Sequence, residues 1–386
     1  MNNKNLTVIF LTTLMAVLGV ASISPAFPSI TKHFNISPTQ VTLLITIFTL
    51  PGIFLAPVAG ILADRIGRKV ILLPSLLLFG IAGSGCFFTK NWEVLLALRF
   101  LQGIGAASLG SLNVTLIGDL FSGEKRGEVM GYNASILSIG TAVYPVIGGA
   151  LAMAGWQFPF LLPLLAIPVA IIAIFGLNNP EPKKQYNFKN YLQKTWQNIN
   201  KKTVWGLFII NILLFVILYG AFLSYFPQLM EERFQASALQ IGLSMSAFSV
   251  ITAFTAYQKK RINKTIAVKY QLNISFVLYL TSMLILSFAN QWWHLFVPLV
   301  TFGMAHGILI PTIQTLLVGF APLNERAGFM SINSLVLRIG QTFGPLFIGL
   351  FYALGGVGVA FTVGAFVAII MLAVSVFMVK IKKEHS

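Results

Sequence analysis

The sequence predicts an all-α integral membrane protein of twelve transmembrane helices, arranged as two pseudo-symmetric six-helix bundles. Three observations carry that prediction. Hydrophobic residues make up 56% of the chain and charged residues only 9%, with mean hydropathy +0.83, whereas a soluble domain carries about 25% charged residues. Apolar segments close to the roughly 20 residues that cross a bilayer recur along the whole chain. The two halves also repeat one another at a shift of 200 residues.

The spans are expected near 6–30, 41–63, 70–89, 93–120, 128–152, 158–177, 203–230, 238–257, 266–289, 293–319, 329–353 and 359–380. The first has no small-residue cleavage site, and Pro25 and Pro28 interrupt its far end. It reads as a retained helix, not a removed signal peptide. An even number of spans puts both termini on one side. Cytoplasmic loops are rich in Lys and Arg, and placing both termini inside gives the inner segments 21 of the 26 basic residues. Lys32, Lys90 and Arg233 fall outside, while Arg99 and Arg338 lie within spans. The net charge of +16 is thus accounted for by topology. Nucleic-acid binding is set aside because no compact basic domain presents the charge. The single cysteine, Cys86, allows no intrachain disulfide and no cysteine metal site. No metal or cofactor is expected.

The longest polar stretch sets the domain boundaries: an N-terminal bundle at 1–177, a cytoplasmic linker at 178–202 and a C-terminal bundle at 203–386. In the linker, Tyr186, Phe188, Tyr191, Leu192 and Trp196 form either an amphipathic helix at the inner membrane surface or a solvated connector. The repeat is read in one register. Arg126, Met130, Asn133, Ile139, Gly140, Pro145 and Gly149 fall on Arg326, Met330, Asn333, Ile339, Gly340, Pro345 and Gly349. Gly103, Thr115 and Leu116 fall on Gly303, Thr315 and Leu316. Parallel six-span repeats with a site at their interface are a transporter design. No nucleotide-binding loop occurs, so an ion or solute gradient supplies the energy, or transport is passive.

Four motifs give the chain its character. Gly60-Ile-Leu-Ala-Asp64-Arg65-Ile-Gly67-Arg68-Lys69 is a charged turn between spans 2 and 3. Arg261, Ile262 and Lys264 are its worn counterpart in the second half, with Lys260 and Asn263 where Asp64 and Gly67 stand. Span 4 carries Leu95-x-x-x-Arg99-x-x-Gln102-Gly103-x-Gly105-Ala106-Ala107, and span 5 carries Gly140-x-x-x-Tyr144-Pro145-x-x-Gly148-Gly149. Span 1 carries Leu18-Gly19 followed by Pro25-x-x-Pro28. On these motifs the whole chain resembles the major facilitator superfamily, and within it the twelve-helix drug:proton antiporter branch.

The resemblance implies a major facilitator fold and a cytoplasmic gate of Asp64, Arg68 and Asp119, flanked by Gly60, Arg65, Gly67 and Arg126. Asp64 and Arg68 are four apart, so they can pair if the turn is helical, and glycine lets neighbouring helices approach. The alternative is that the basic residues serve topology alone. Exporters of this kind favour Gly-Pro where this chain has Tyr144-Pro145. Tyr144 either lines a cavity or packs. The full Gly340-x-x-x-Gly344-Pro345 pattern stands in span 11.

Charges inside a membrane are functional candidates. Arg99 shares a helix face with Gln102, Ala106 and Asn113, within about 60°; it either meets substrate or bonds span 1 carbonyls. Arg338 shares a face with Ser331, Ser334 and Gln341, and span 7 aligns Asn211, Phe215, Phe222 and Tyr225. These stripes predict a polar cavity with aromatic walls. His306 is either packing or a proton carrier, since an unperturbed imidazole titrates near about 6.5. All ten carboxylates lie in loops or at span ends. The cavity therefore lacks the acid that drug:proton antiporters commonly keep there.

The sequence thus predicts a secondary active transporter. It exports small amphipathic molecules by alternating access, coupled to protons, as a monomer in the lipid bilayer of a bacterial cell membrane. The alternative on the same fold is a carrier of a specific anionic metabolite, siderophore or lipid, for which Arg338 supplies the counter-charge. An intramembrane enzyme would need converging nucleophile, base or metal ligands, which the spans do not offer. A non-transporting receptor is the remaining class.

Overall fold

The computed structural model of the chain describes residues 3–177, 200–320 and 326–380. The 178–202 linker lies outside these residues, apart from its last three. Among the described residues there is no strand, and the helices follow the apolar segments closely. A hydrocarbon interior leaves no water for open backbone groups, so helices that satisfy themselves are the stable solution.

Span 1 is not one helix. Asn3–Ala21 is α-helical, Ser24–Ala26 forms a 3-10 turn, and Phe27–Phe34 resumes. Pro25 and Pro28 have no N–H to continue the ladder. Spans 2 to 5 are Leu43–Ile66, Arg68–Gly85, Trp92–Leu120 and Gly123–Ala154. Span 6 opens as a 3-10 stretch, Phe158–Leu165, and continues as Ala166–Gly176. Span 7 runs through Lys202–Phe215, a π-helical stretch Val216–Leu223, and Ser224–Phe234. Spans 8 and 9 are Ala238–Tyr257 and Val268–Phe288, with the short helix Lys259–Thr265 between them. Span 10 is Phe296–Phe320 after a turn at Trp292–Leu295.

Spans 11 and 12 form one continuous run, Arg326–Met378, broken at Gly355 and Gly356. A straight helix of 53 residues would measure about 80 Å against a hydrocarbon core of about 30 Å, so the chain must turn. Gly356 adopts φ 70°, a conformation glycine reaches without steric cost. The break sits between the two expected spans, and the described residues therefore carry the twelve spans.

The described residues group into two compact units. One holds the residues up to 177 together with Gln235–Ser246; the other holds 200–234 and 247–380. The 200-residue repeat is visible in the local geometry. Asn35 and Gln235 both take left-handed backbone, at φ 52° and 49°. Two residues on, Ser37 and Ser237 each open a reciprocal cap: Ser37 N–H donates to Gln40 Oε1 at 2.8 Å, and Ser237 N–H to Gln240 Oε1 at 2.8 Å. The amides of Gln40 and Gln240 return bonds to the serine hydroxyls at 3.1 and 3.3 Å. This capping box opens the short helix Pro38–Val41 ahead of span 2 and the first turn of span 8 alike.

Glycine sets the closest helix contacts. A methyl group on Gly103 would collide with the Phe48 carbonyl. On Gly303, 200 residues later, it would lie 3.0 Å from the Phe248 carbonyl and 2.7 Å from Ile251. Span 4 thus meets span 2 as span 10 meets span 8. Gly103→Leu and Gly303→Leu should each lower stability by about 1–3 kcal/mol from overpacking. Gly110→Leu, at a position with open space around it, should be neutral. Midpoints of thermal aggregation in detergent would check this.

Candidate functional site

The charged turn begins where span 2 ends. Gly67 adopts φ 104°, which side-chain-bearing residues rarely take, and the chain reverses into span 3. Arg68 then points inward. Its Nε donates to Asp119 Oδ2 at 2.8 Å and its Nη1 to the Ala63 carbonyl at 2.6 Å. Both side chains are almost fully buried, at 3% and 9% exposure. The bond ties the start of span 3 to the end of span 4. The side chain of Asp64 lies outside the described residues, and Gly60 belongs to the last turns of span 2. Arg65 is exposed. Arg126 closes the end of span 4 by donating to the Gly118 and Phe121 carbonyls at 2.7 and 2.9 Å. Lys69 does the same for span 6, through the Ile174 and Leu177 carbonyls. Cations at helix C-termini are favoured by the helix dipole.

The worn counterpart in the second unit works without an acid among its described residues. Lys259 donates to Gln271 Oε1 and Thr312 Oγ1. Burial pulls its ammonium group down to about 8. Gln271 in turn donates to Asn263 Oδ1 at 3.1 Å and the Ile266 carbonyl at 2.7 Å. Lys259, just before that turn, is thus held by neutral oxygens, whereas Arg68 meets a carboxylate.

Arg99 is 1% exposed. The break in span 1 explains its partners. Ile23 N–H turns to Val20 O at 3.2 Å, which releases the carbonyl of Gly19. Arg99 Nη2 takes that carbonyl at 2.9 Å and Leu44 O at 3.0 Å; Nε also donates to Leu44 O at 3.1 Å. Nη1 donates to Gln102 Oε1 at 2.6 Å, and the guanidinium lies 4.3 Å above the Phe48 ring. Gly19 has no side chain where the Phe48 ring sits. The prolines of span 1, Gly19 and Arg99 are therefore one local construction joining spans 1, 2 and 4. Gln102 is fully buried; its Nε2 has no partner and abuts Gly83.

Polar side-chain contacts join distant spans within each unit. Asn113 Nδ2 donates to Thr13 Oγ1 and, at 3.1 Å, to Asn133 Oδ1; Thr13 Oγ1 also donates to Asn133 Oδ1. In the second unit Asn211 Nδ2 donates to Asn333 Oδ1 at 2.7 Å. Asn133 and Asn333 are repeat-equivalent, yet each pairs across more than a hundred residues of sequence. Repeat identity flags the two asparagines; pairing at that range leaves no periodic signal.

Tyr144 is 7% exposed and sits among close glycine contacts of span 5. One turn on, Gly148 lies against the Ser22 backbone of span 1, where a methyl group would collide. Gly149 faces Ala238 and Gly242 faces Pro145, all within the first unit. In span 11, Gly344 would place a methyl 2.9 Å from Val216 of the π-helical stretch.

Phe222 and Tyr225, expected on a cavity wall, are 1% and 0% exposed. Phe222 stacks on Phe226 and Phe302 with centroids 4.9 and 4.7 Å away, and Tyr225 stacks on Tyr352 at 4.8 Å. Both belong to the packing of the second unit. His306 lies in the same cluster, with Phe248 5.7 Å away. Its Nδ1 shares a 2.6 Å hydrogen bond with the Tyr279 hydroxyl. The sequence reading missed Tyr279 altogether. Arg338 is half-buried, and Gln341 is half-buried one turn on.

The residue pattern of the Major Facilitator Superfamily matches residues 9–257 and 226–386. The chain is 27% identical to the Bacillibactin exporter of Bacillus subtilis (strain 168), over 99% of this chain and 98% of that one. It is 26% identical to Multidrug resistance protein 1 of the same strain, over 91% of each. Among solved structures, a bacterial homolog to the human lysosomal transporter Spinster superposes with TM-score 0.77 at 17% identity, covering 98% of this chain and 95% of that one.

Removing one partner of a buried ion pair costs about 3–5 kcal/mol. Asp119→Asn and Arg68→Gln should therefore each lower the thermal midpoint in detergent clearly. Combined, they should lower it by less than the sum of the two. Arg126→Gln, at an exposed site, should lower it little.

Proposed function

This chain belongs to the Major Facilitator Superfamily, and we propose that it exports small amphipathic molecules by alternating access, driven by proton antiport. The export reading is supported by relatives that carry a siderophore-exporter name and a multidrug-resistance name along nearly the whole chain. Both termini and the basic turns face the cytoplasm, where positive charge gathers. Arg68, Asp119 and Asp64 form the cytoplasmic gate. The protein works as a monomer in a bacterial cell membrane.

The observation that carries proton coupling is the His306–Tyr279 pair at 2.6 Å. All ten carboxylates of the sequence sit in loops or at span ends, so an imidazole takes the carrier's part. The pair tolerates both protonation states. Neutral His306 accepts from the tyrosine hydroxyl at Nδ1; protonated His306 donates there, and the hydroxyl oxygen accepts. The hydrogen bond reverses without being lost, so a proton can be gained and released with little rearrangement.

A second reading rests on Arg338. A half-buried guanidinium would select an anionic group on the transported molecule, as in a carrier for a specific anionic metabolite, siderophore or lipid.

His306→Gln keeps a partner for Tyr279 and removes the titration. In cells loaded with a lipophilic cationic dye, it should abolish energised efflux while the protein stays in the membrane. Tyr279→Phe should retain efflux with an altered pH profile. Efflux by His306→Gln equal to the parent would exclude the imidazole as carrier. Loss of anion movement alone in Arg338→Ala would favour the second reading.

A further inference from the structure

We propose that a lateral groove between spans 1 and 6 of the first unit is a binding site for one anionic glycerophospholipid. The groove has a volume of about 330 Å³ and is lined by Lys4, Thr7, Ile171, Ile172, Phe175 and Gly176. Its walls divide by chemistry. Ile171, Ile172 and Phe175 are apolar and open, at 51%, 41% and 81% exposure. In a membrane-spanning helix such side chains face hydrocarbon. Gly176 contributes no side chain; a methyl there would lie 3.5 Å from Val8 and 3.6 Å from Lys4 Cβ. The missing side chain opens the groove where the two helices approach.

One end of the groove is charged. Lys4 is exposed and stands at the first residue of the apolar span Lys4–Phe34, which is the depth of a lipid headgroup. Lys69 is held to the last turn of span 6 through the Ile174 and Leu177 carbonyls, so a second ammonium group lies at the same helix end. The exposed Arg65 belongs to the same turn. An acyl chain along Ile171, Ile172 and Phe175, with a phosphate at Lys4, satisfies both ends at once. A basic pocket between transmembrane helices at the membrane surface is suited to an acidic headgroup. A zwitterionic lipid would gain the apolar contact and less of the charge.

The test uses the full chain in detergent and native mass spectrometry. Phosphatidylglycerol and phosphatidylcholine with the same acyl chains are supplied in equal amounts. The parent should retain one phosphatidylglycerol in preference to phosphatidylcholine by about fivefold. Lys4→Gln should bring the two lipids close to parity without reducing total lipid. Gly176→Leu should reduce both, with its thermal midpoint measured alongside to show that it is folded. If that variant does not fold, Lys4→Gln decides alone. Equal retention of the two lipids by the parent, an unchanged preference in Lys4→Gln, or retention of neither lipid would overturn the proposal.

Discussion

A backbone inside hydrocarbon has no water to turn to, so every carbonyl released by a helix break must be taken by another protein group. The breaks in this chain show that constraint at work. Span 1 loses its regular ladder at Ile23, and the freed Gly19 carbonyl is taken by Arg99, which reaches the Leu44 carbonyl of span 2 at the same time. Ser22 and Ser24 turn their hydroxyls back to Leu18 and Val20 at 2.7 and 3.2 Å. The cation in span 4 is therefore the partner that a broken helix requires. Its own cost in a low-dielectric interior is offset by three carbonyl contacts, one side-chain amide and the Phe48 ring.

The duplication separates frame from function. Phe48 and Phe248 hold the same place against Gly103 and Gly303, and Asn133 and Asn333 each accept an amide from another span of their unit. Around that shared frame the two units have diverged. Phe79, Arg99, Gln102 and Ala106 stand where the second unit has Tyr279, Leu299, Phe302 and His306. In the first set Arg99 clamps backbone carbonyls; in the second, aromatic rings pack around an imidazole and a hydroxyl. A hydroxyl and an imidazole 2.6 Å apart are not needed to hold the frame, because the first unit is built without them. That asymmetry is the physical reason the proposal of proton exchange rests on the second unit.

Much of this was legible in the sequence, and the limits have a common cause. Span lengths are set by bilayer thickness, so apolar run length located them, and the Gly355–Gly356 break fell in the expected gap. The charged turn and Asp119 were readable because a motif fixes their local geometry. The carbonyl-bonding reading of Arg99 was one of two open from the residues alone. The aromatic stripe was harder. Phe222 and Tyr225 share a helix face, but periodicity cannot say whether that face meets a cavity, a neighbouring helix or lipid. The π-helical stretch at Val216–Leu223 leaves no trace in residue spacing. The Thr13–Asn113–Asn133 contacts and the Tyr279–His306 bond join residues far apart in sequence, beyond the reach of any local pattern.

Purified protein in liposomes with an imposed inside-acid pH gradient tests the central claim most directly, by following the entry of a lipophilic cationic dye with and without a protonophore. Proton-driven export predicts dye accumulation that depends on the gradient and collapses when the protonophore is added. Dye movement indifferent to the protonophore, or movement confined to an anionic amphiphile supplied in its place, would contradict it.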